Sequence, residues 1–296
     1  MANYTIKDLE KLSGIKAHTI RMWEKRYGLI APMRTSTNIR TYCDDELKKL
    51  LNISILNRNG FKISRIACLS MDEINTRINQ LTKNSDDTET QIENLAISMI
   101  DLDENKFEKI ISRAIIQLGF EDTIVKIIYP FLDRIGVMWQ TGTINPAQEH
   151  FVSNLIRQKL IVAIDSQVSS GGNHAKSFML FLPEGELHEL GLLFFTYLIK
   201  KRGHRIIYLG QSVPIDDLIS VYRIRPVDFL LTAFVSSING NNGKTFIQKL
   251  SDEIAKSMVY ISGNQTKFIQ DNLPENFKVI SSPRAFIDEL NKISSL

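Results

Sequence analysis

The sequence predicts a multidomain protein of mixed α and α/β class, with a helix-turn-helix head, a four-helix bundle and a doubly wound parallel sheet. Three observations support this prediction. Two short helical patterns flank Gly14, four longer amphipathic patterns lie between residues 91 and 164, and five short apolar runs alternate with helical segments after residue 175. A chain of 296 residues is long enough for two or three domains. The domains expected from these patterns are residues 1–75, 88–168 and 175–296.

Charge is distributed unevenly along the chain. Residues 1–70 hold 13 Lys and Arg against 6 Asp and Glu, a net charge of +7, whereas the remainder holds 23 against 27, a net charge of −4. A basic head on an acidic body predicts an anionic partner for the head alone. The alternative is that the head merely has a solvated charged surface.

The chain reads as a cytoplasmic protein with no membrane partner. No apolar run reaches the roughly 18 to 20 residues of a membrane span, and the start MANYTIKDLEK lacks the pattern of a signal peptide. Cys43 and Cys68 form neither a disulfide framework nor the spacing of a metal knuckle. We therefore expect both cysteines to be small buried side chains.

The first 30 residues carry the pattern of two helices joined by a tight turn. Thr5 can cap the first helix, Gly14 supplies the turn, and a second helix from about Ala17 would bury Ile20 and Trp23. The early exposed positions of such a second helix meet base edges in a major groove. These positions are His18, Thr19 and Arg21.

A small hairpin is predicted next, over the segment LIAPMRTSTNIRTY, followed by a helix from Asp44. Basic and hydroxyl side chains on such a wing can reach backbone phosphates, which positions a protein on DNA without reading sequence. On this wing they are Arg34, Arg40 and Tyr42.

By these residues the head resembles the winged helix-turn-helix of the MerR family of transcription regulators. The resemblance rests on Tyr4-Thr5-Ile6, Leu12-Ser13-Gly14, Thr19-Ile20-Arg21, Trp23-Glu24, Arg26-Tyr27-Gly28-Leu29 and Arg40-Thr41-Tyr42. It implies DNA contacts from Arg21, Arg26, Tyr27, Arg34, Arg40 and Tyr42. The alternative for Trp23 and Tyr27 is that both belong to the core.

Four amphipathic segments with short connections predict a four-helix bundle. They are Leu95–Ile100, Phe107–Ile115, Ile124–Met138 and Ala147–Ile164. Before the last of them, Asn145 can cap, Pro146 fits the first helical position and Gln148 completes a capping box. An indole, a carboxylate and an imidazole could then converge at one end of the bundle, from Trp139, Glu149 and His150. The alternative is that Trp139 fills the bundle core and Glu149 serves the helix dipole.

The runs KSFMLFLP, HRIIYLG, VDFLLTAFV, SMVYISG and FKVISS predict the strands of a Rossmann-like parallel sheet. Ligands bind beyond the carboxyl ends of such strands. His188 follows the first run, Ser236 and Ser237 follow the third, and Ser262 and Gly263 follow the fourth. We therefore expect these side chains at one rim of the sheet.

The segment Glu186-Leu187-His188-Glu189-Leu190-Gly191 resembles the Asp-x-His-x-x-Gly signature of cobalamin-binding domains, with Glu in the first position. The resemblance implies that His188 is the lower axial ligand of cobalt and that Glu186 bonds its other ring nitrogen. It also implies that Gly191 lets the backbone approach the corrin. Ser236-Ser237-Ile238 resembles a Ser-x-Leu element of these domains, and Ser262-Gly263 stands where a Gly-Gly pair is usual.

With these three parts in order, nearly the whole chain resembles the cobalamin-dependent MerR regulators of the CarH and LitR photoreceptor group. The resemblance implies cobalamin as cofactor, with adenosylcobalamin preferred, and an upper face covered by Trp139, Glu149 and His150. Light-sensing members carry a histidine directly after the tryptophan. This chain has Gln140 there, and an amide is a poor cobalt ligand, so light sensing stays open.

The predicted function is a regulator of transcription, a repressor, that binds double-stranded operator DNA as a homo-oligomer, a dimer or tetramer, under the control of cobalamin. A second hypothesis keeps the DNA-binding head but treats the carboxy-terminal part as an oligomerisation or antagonist-binding module without a cofactor. An enzyme is the third class. The sequence offers no substrate domain, zinc–thiolate constellation or nucleophile–base pair for it, so an enzyme is not predicted.

Overall fold

The computed structural model describes residues 4–35, 38–84, 87–140, 145–168, 175–236, 240–254, 256–269 and 273–294. The chain divides into two compact units, residues 1–153 and 154–296, and the boundary falls inside one long helix. The three domain boundaries drawn from the sequence remain a prediction.

The first unit begins with the expected pair of short helices and the wing. Thr5 caps the first helix through a capping box, because its hydroxyl accepts from the amide of Asp8 and its own amide donates to the Asp8 carboxylate at 2.7 Å. Gly14 ends that helix in the left-handed region, with φ of 69°, which lets the chain turn at once. The elements are α1 (Ile6–Ser13), α2 (Ala17–Tyr27), the antiparallel strands β1 (Met33–Arg34) and β2 (Arg40–Thr41), α3 (Asp44–Arg58), α4 (Ile63–Ile66) and α5 (Met71–Asn84).

The apolar positions predicted for the head form its core. Ile20 and Trp23 are buried on the inner face of α2, as expected from their spacing. Leu47 and Leu50 of α3 are fully buried as well. The expectation for the cysteines is wrong for Cys68, which is exposed, while Cys43 is half-buried.

The four predicted bundle helices are present, and the third contains a π-helical turn. That turn ends two residues before Pro130, which has no backbone N–H to donate to the preceding turn. The elements are α6 (Thr88–Asp101), α7 (Glu104–Leu118), α8 (Phe120–Thr123), the π turn (Ile124–Ile128), α9 (Tyr129–Gln140) and α10 (Pro146–Asp165).

Helix α6 is the centre of the first unit. Every residue from Thr90 to Ile100 is buried, polar side chains included. The helix contacts α3 of the head as well as α7 and α9 of the bundle. A helix buried around its whole circumference is part of a core and not a surface element.

The second unit is the predicted doubly wound parallel sheet. Its five strands are all parallel and lie in the order β4-β3-β5-β6-β7. The strands are β3 (Ser177–Pro183), β4 (Arg205–Val213), β5 (Phe229–Ala233), β6 (Met258–Ser262) and β7 (Phe277–Val279). The helices are α11 (Leu190–Lys201), α12 (Ile215–Ile224), α13 (Gly240–Glu253) and α14 (Pro283–Ser294), with a 3₁₀ turn at Asn264–Phe268.

Alternate side chains of β3 pack on opposite faces of the sheet. Met179 and Phe181 belong to a core completed by α12 and α13, which includes Leu218 and Leu250. Helices α11 and α14 contact each other, with the rings of Phe195 and Phe286 at 4.7 Å. Within the described residues, no helix is both long enough and apolar enough to span a membrane.

Candidate functional site

The chain reverses its winding direction between β3 and β5. It leaves β3 toward β4 on one side and returns to place β5 on the other side. The loops after β3 and β5 therefore diverge at the carboxyl edge of the sheet, and a crevice at such a point is where ligands bind in this architecture. Glu186 and His188 lie on the first of these loops, and Ser236 on the second.

The carboxylate of Glu186 joins the two loops. Its Oε1 accepts from the amides of Leu187 and His188 at 3.0 and 3.1 Å and lies 2.6 Å from Nδ1 of His188. Its Oε2 accepts from the amides of Val235 and Ser236 at 2.9 and 2.7 Å and from the Ser236 hydroxyl at 2.8 Å. The side chain is only 5% exposed. Burial alone would raise the pKa of Glu186, but the hydrogen bonds from His188 and Ser236 outweigh it and hold the pKa well below its usual range.

His188 is partly accessible to solvent, and its ring lies against Glu186. Its side chain is 58% exposed, and the Nδ1 contact with Glu186 fixes the ring. When Nδ1 donates to a carboxylate, Nε2 is the nitrogen that can bind a metal, and the carboxylate raises its basicity. A neutral imidazole on an anchored loop is a chemically suitable axial ligand for the cobalt of a corrinoid. Within the described ranges, no group of three or more His, Cys, Asp or Glu side chains could hold a metal ion by itself.

The other residues predicted for this rim differ in their positions. Gly191 lies in the first turn of α11, directly after the histidine loop. Ser236 is exposed, but its hydroxyl is bonded to Glu186. The expected cofactor contact of Ser262 is corrected, because its side chain is buried and its hydroxyl donates to the Thr232 carbonyl at 3.4 Å. Ser237 lies outside the described residues.

Gly263 is required by the fold itself. Its φ is 99°, and a Cβ at this position would lie 2.1 Å from the carbonyl oxygen of Phe234. Close packing of two backbone segments therefore explains this glycine without a ligand.

Three side chains at the histidine loop were not predicted as site residues. Glu189 accepts from Nε of Arg157 at 2.5 Å and from the hydroxyl of Tyr208 at 2.9 Å. Burial and the Glu189 carboxylate raise the pKa of the Tyr208 hydroxyl, so this hydroxyl stays a donor. The position of Glu189 beside His188 was the available signal, but its partners lie 32 and 19 residues away.

The residues predicted to cover the upper face of the cofactor belong to the first unit. Nδ1 of His150 lies 3.1 Å from the Glu149 carboxylate, which also accepts from the Ser153 hydroxyl. The expected capping box is wrong, because Gln148 donates to the Ile100 carbonyl at 3.1 Å while Asn145 alone caps the helix through the Ala147 amide. Trp139 and Gln140 end α9, but their side chains lie outside the description.

Helix α2, predicted from the sequence to be the recognition helix, presents a basic face. Its first amide, from Ala17, donates to the carboxylate of Glu10, which also pairs with Lys16, so α1 fixes the start of α2. The predicted contact residues of this helix are accessible: His18, Arg21 and Arg26 are exposed, and Thr19 and Tyr27 are half-buried. The Arg26 guanidinium lies 5.3 Å from the centre of the Tyr27 ring.

The wing offers two arginines but not the predicted tyrosine. Arg34 is exposed and donates to Asn38 at 2.5 Å, and Arg40 donates to Glu24 at 3.2 Å. Tyr42 is a correction, because it is 0% exposed and its backbone pairs with Tyr4, so its hydroxyl cannot reach a phosphate without leaving the core.

Two family profiles match parts of the chain. The profile described as "MerR HTH family regulatory protein" matches residues 4–70, and the profile described as "B12 binding domain" matches residues 91–163. The chain therefore carries a MerR-type helix-turn-helix head and a B12-binding domain. The first match spans α1 to α4 with the wing, and the second spans the bundle helices.

Two curated relatives align with the chain along most of its length. The HTH-type transcriptional repressor CarH of Myxococcus xanthus is 28% identical over 268 residues, which cover 88% of each chain. The HTH-type transcriptional repressor CarA of the same organism is 26% identical over 234 residues, which cover 78% of this chain and 76% of that one. Both are named as repressors and not as enzymes.

A solved structure resembles the fold of a large part of the chain. The monomethylamine corrinoid protein of Methanosarcina barkeri superposes with a TM-score of 0.55 at 12% identity, over 68% of this chain and 96% of that one. At this identity the likeness concerns the fold alone.

Proposed function

We propose that this protein is a transcriptional repressor whose affinity for operator DNA is controlled by cobalamin bound at His188. The observation that carries the proposal is the contact of Glu186 with Nδ1 of His188 at the switch point of the sheet. The relatives named as transcriptional repressors, aligned over most of the chain, support the regulatory part.

His188 would hold the cofactor through its imidazole, and Glu186 would orient the ring through its contact with Nδ1. Bound cobalamin supplies a cobalt ion with an exchangeable upper ligand, which a regulator can sense. Gly191 and Ser236 are proposed to lie beside the cofactor, as the resemblance implies. Trp139, Glu149 and His150 are proposed to cover its upper face on the same ground.

On the DNA side, the exposed residues of α2 are proposed to meet the operator, with Arg34 and Arg40 of the wing on its phosphates. One small head makes few contacts, so a homo-oligomer that presents two or more heads would gain affinity by multivalency. Cobalamin that favours such an oligomer would control DNA binding without touching the head. Adenosylcobalamin is the proposed form.

Light control is a separate part of the proposal and has its own test. Gln140 replaces the histidine of light-sensing relatives, and a carboxamide does not replace an imidazole on cobalt. An operator shift that is identical in dark and light would remove light sensing and leave cobalamin sensing intact.

The test pairs two variants with opposite expected defects. Wild type, His188→Ala and Arg21→Ala are incubated with adenosylcobalamin in the dark, desalted, and examined by visible absorption and by operator binding. We expect Arg21→Ala to retain colour with weakened operator binding, and His188→Ala to lose colour or change its spectrum. If wild type retains no colour and its operator binding ignores cobalamin, the cofactor-free regulator becomes the better description.

A further inference from the structure

Glu189 occupies the N-cap of α11 but does not cap it. A carboxylate at this position ordinarily accepts from the first amides of its own helix. Here the N-cap makes no side-chain hydrogen bond to α11. Its oxygens accept instead from Arg157 of α10 at 2.5 Å and from Tyr208 of β4 at 2.9 Å, and the side chain is 8% exposed. The carboxylate therefore serves two other elements of the fold.

The end of β4 holds the rest of the histidine loop. The side-chain Nε2 of Gln211 donates to the Leu187 carbonyl at 2.7 Å, and the Ser212 hydroxyl accepts from the backbone amide of Gly185 at 3.1 Å. The backbone amide of Ser212 donates to the Glu186 carbonyl at 3.2 Å. These bonds tie the loop to the sheet. The bond from Arg157 differs from these bonds because it ties the loop to a helix, α10, and not to strand β4.

We propose that Glu189 is a positioning residue for His188, which clamps the histidine loop between Arg157 of α10 and Tyr208 of β4. This proposal rests on the proposed function, because the position of His188 matters most when a metal binds it. The clamp lets a displacement of the histidine loop reach α10 through one charged hydrogen bond. Such a bond is shorter and stronger than a neutral one, and it is directional because the guanidinium is planar.

Because the Glu189 carboxylate is buried, the clamp depends on the positive charge of Arg157. Arg157 is 49% exposed, whereas Glu189 is almost fully buried. Removal of the guanidinium leaves a buried carboxylate without its opposite charge, so the loop has to rearrange. Removal of the Tyr208 hydroxyl leaves the ion pair in place, and we expect a smaller effect.

The first measurement follows cobalt coordination. Full-length protein labelled with ¹⁵N-histidine is loaded with hydroxocobalamin and reduced to the Co(II) form, and electron paramagnetic resonance is recorded. Coordination by a ¹⁵N ring nitrogen splits each cobalt line into two, whereas the cofactor's own ¹⁴N base splits it into three. We expect the twofold pattern in wild type, a fraction at least threefold lower in Glu189→Gln and Arg157→Gln, and partial rescue in Arg157→Lys.

The matched control is Glu253→Gln. Glu253 pairs with Arg223 at 2.6 Å on the surface of the same unit, away from the histidine loop. We expect its coordination signal to equal that of wild type. A signal in Glu189→Gln that also equals wild type would overturn the proposal.

The second measurement uses the protein without cofactor. Hydrogen exchange of the Leu187 and His188 amides should be about tenfold or more faster in Glu189→Gln than in wild type, because the loop loses an anchor. Faster exchange with unchanged coordination would assign Glu189 a structural role only and overturn the positioning role. Absence of histidine coordination in wild type would contradict the proposed function, and the exchange experiment would still decide whether the clamp exists.

Discussion

The guanidinium of Arg58 on α3 lies 2.5 Å from the carboxylate of Glu93 on α6, so a residue of the head neutralises a carboxylate inside the bundle. Glu93 is 0% exposed, and within the described residues its Oε2 has no hydrogen-bond partner. A second arginine, on the bundle, binds a backbone carbonyl of the head. Arg134 of α9 donates to the Leu12 carbonyl of α1 at 3.3 Å and to Glu89 at 2.8 Å. The head and the bundle are thus joined by charged groups as well as by apolar packing.

Loss of Arg58 should destabilise the first unit. Arg58→Met leaves the Glu93 carboxylate buried without its cation, and we expect the free energy of unfolding at pH 8 to fall by about 2 to 4 kcal/mol. Urea unfolding followed by the fluorescence of Trp23 and Trp139 measures this. The control is Lys48→Met, which removes the more exposed pair with Asp101 and should cost at most about 1 kcal/mol. Equal losses in the two variants would contradict the role of Arg58.

Glu93 should also make stability depend on pH. Burial raises the pKa of Glu93 to about 7, against the opposing charge of Arg58. The folded state therefore binds this proton more tightly than the unfolded state, so stability rises as pH falls from about 7 toward the unfolded pKa of 4.5. We expect the stability of wild type relative to Glu93→Gln to increase by up to about 1.4 kcal/mol per pH unit within that window. A difference that does not change between pH 5 and pH 8 would refute this titration.

Gly263→Ala should be strongly destabilising whether or not a cofactor is present. The added Cβ meets the Phe234 carbonyl oxygen at 2.1 Å, and φ of 99° is unfavourable for alanine. We expect a loss of about 2 to 4 kcal/mol in the unfolding of the second unit. Gly185→Ala is the control, because its φ is 81° with nothing within 4 Å of the added Cβ, and only about 1 to 2 kcal/mol of backbone strain is expected. Thermal unfolding of the cofactor-free protein distinguishes the two.

Substitution of a buried residue and of an exposed residue of the head should have different effects on DNA binding. Tyr42→Phe removes a buried hydroxyl that has no hydrogen-bond partner in the described part of the chain, so we expect unchanged operator affinity and equal or slightly higher stability. Arg21→Ala should weaken binding and lower the slope of log K against log salt by about one. Fluorescence anisotropy with labelled operator at several salt concentrations tests both. Weaker binding by Tyr42→Phe at unchanged stability would restore the wing tyrosine as a contact.

Sequence patterns predicted the elements better than the contacts between them. The capping box at Thr5, the left-handed Gly14 and the five strands depend on local spacing and side-chain type, and the structure confirms them. The contact of Glu186 with His188 was implied by a short motif and is also present. Periodicity reports which face of an element is apolar, and it carries no information on pairs between distant elements.

Two corrections show this limit. Tyr42 follows a basic wing and looked accessible, but its pairing with Tyr4, 38 positions earlier in the chain, places it in the core. Gln148 has the spacing of a capping box, but the end of α6 lies close enough to take its amide. The Arg157–Glu189 pair was also not predicted from the sequence, because only the packing of α10 against the loop brings the two residues together.

Helix α6, buried from Thr90 to Ile100, limits how this gene can be reshuffled in evolution. Recombination between α5 and α6 would join the head of another protein to an α6 whose side chains evolved to pack on the original α3. An exchange of heads between proteins therefore has to include α6. Otherwise, changes of DNA specificity are confined to the few surface positions of α2 and the wing. New operators are more readily acquired by point substitution on the recognition helix than by exchange of whole heads.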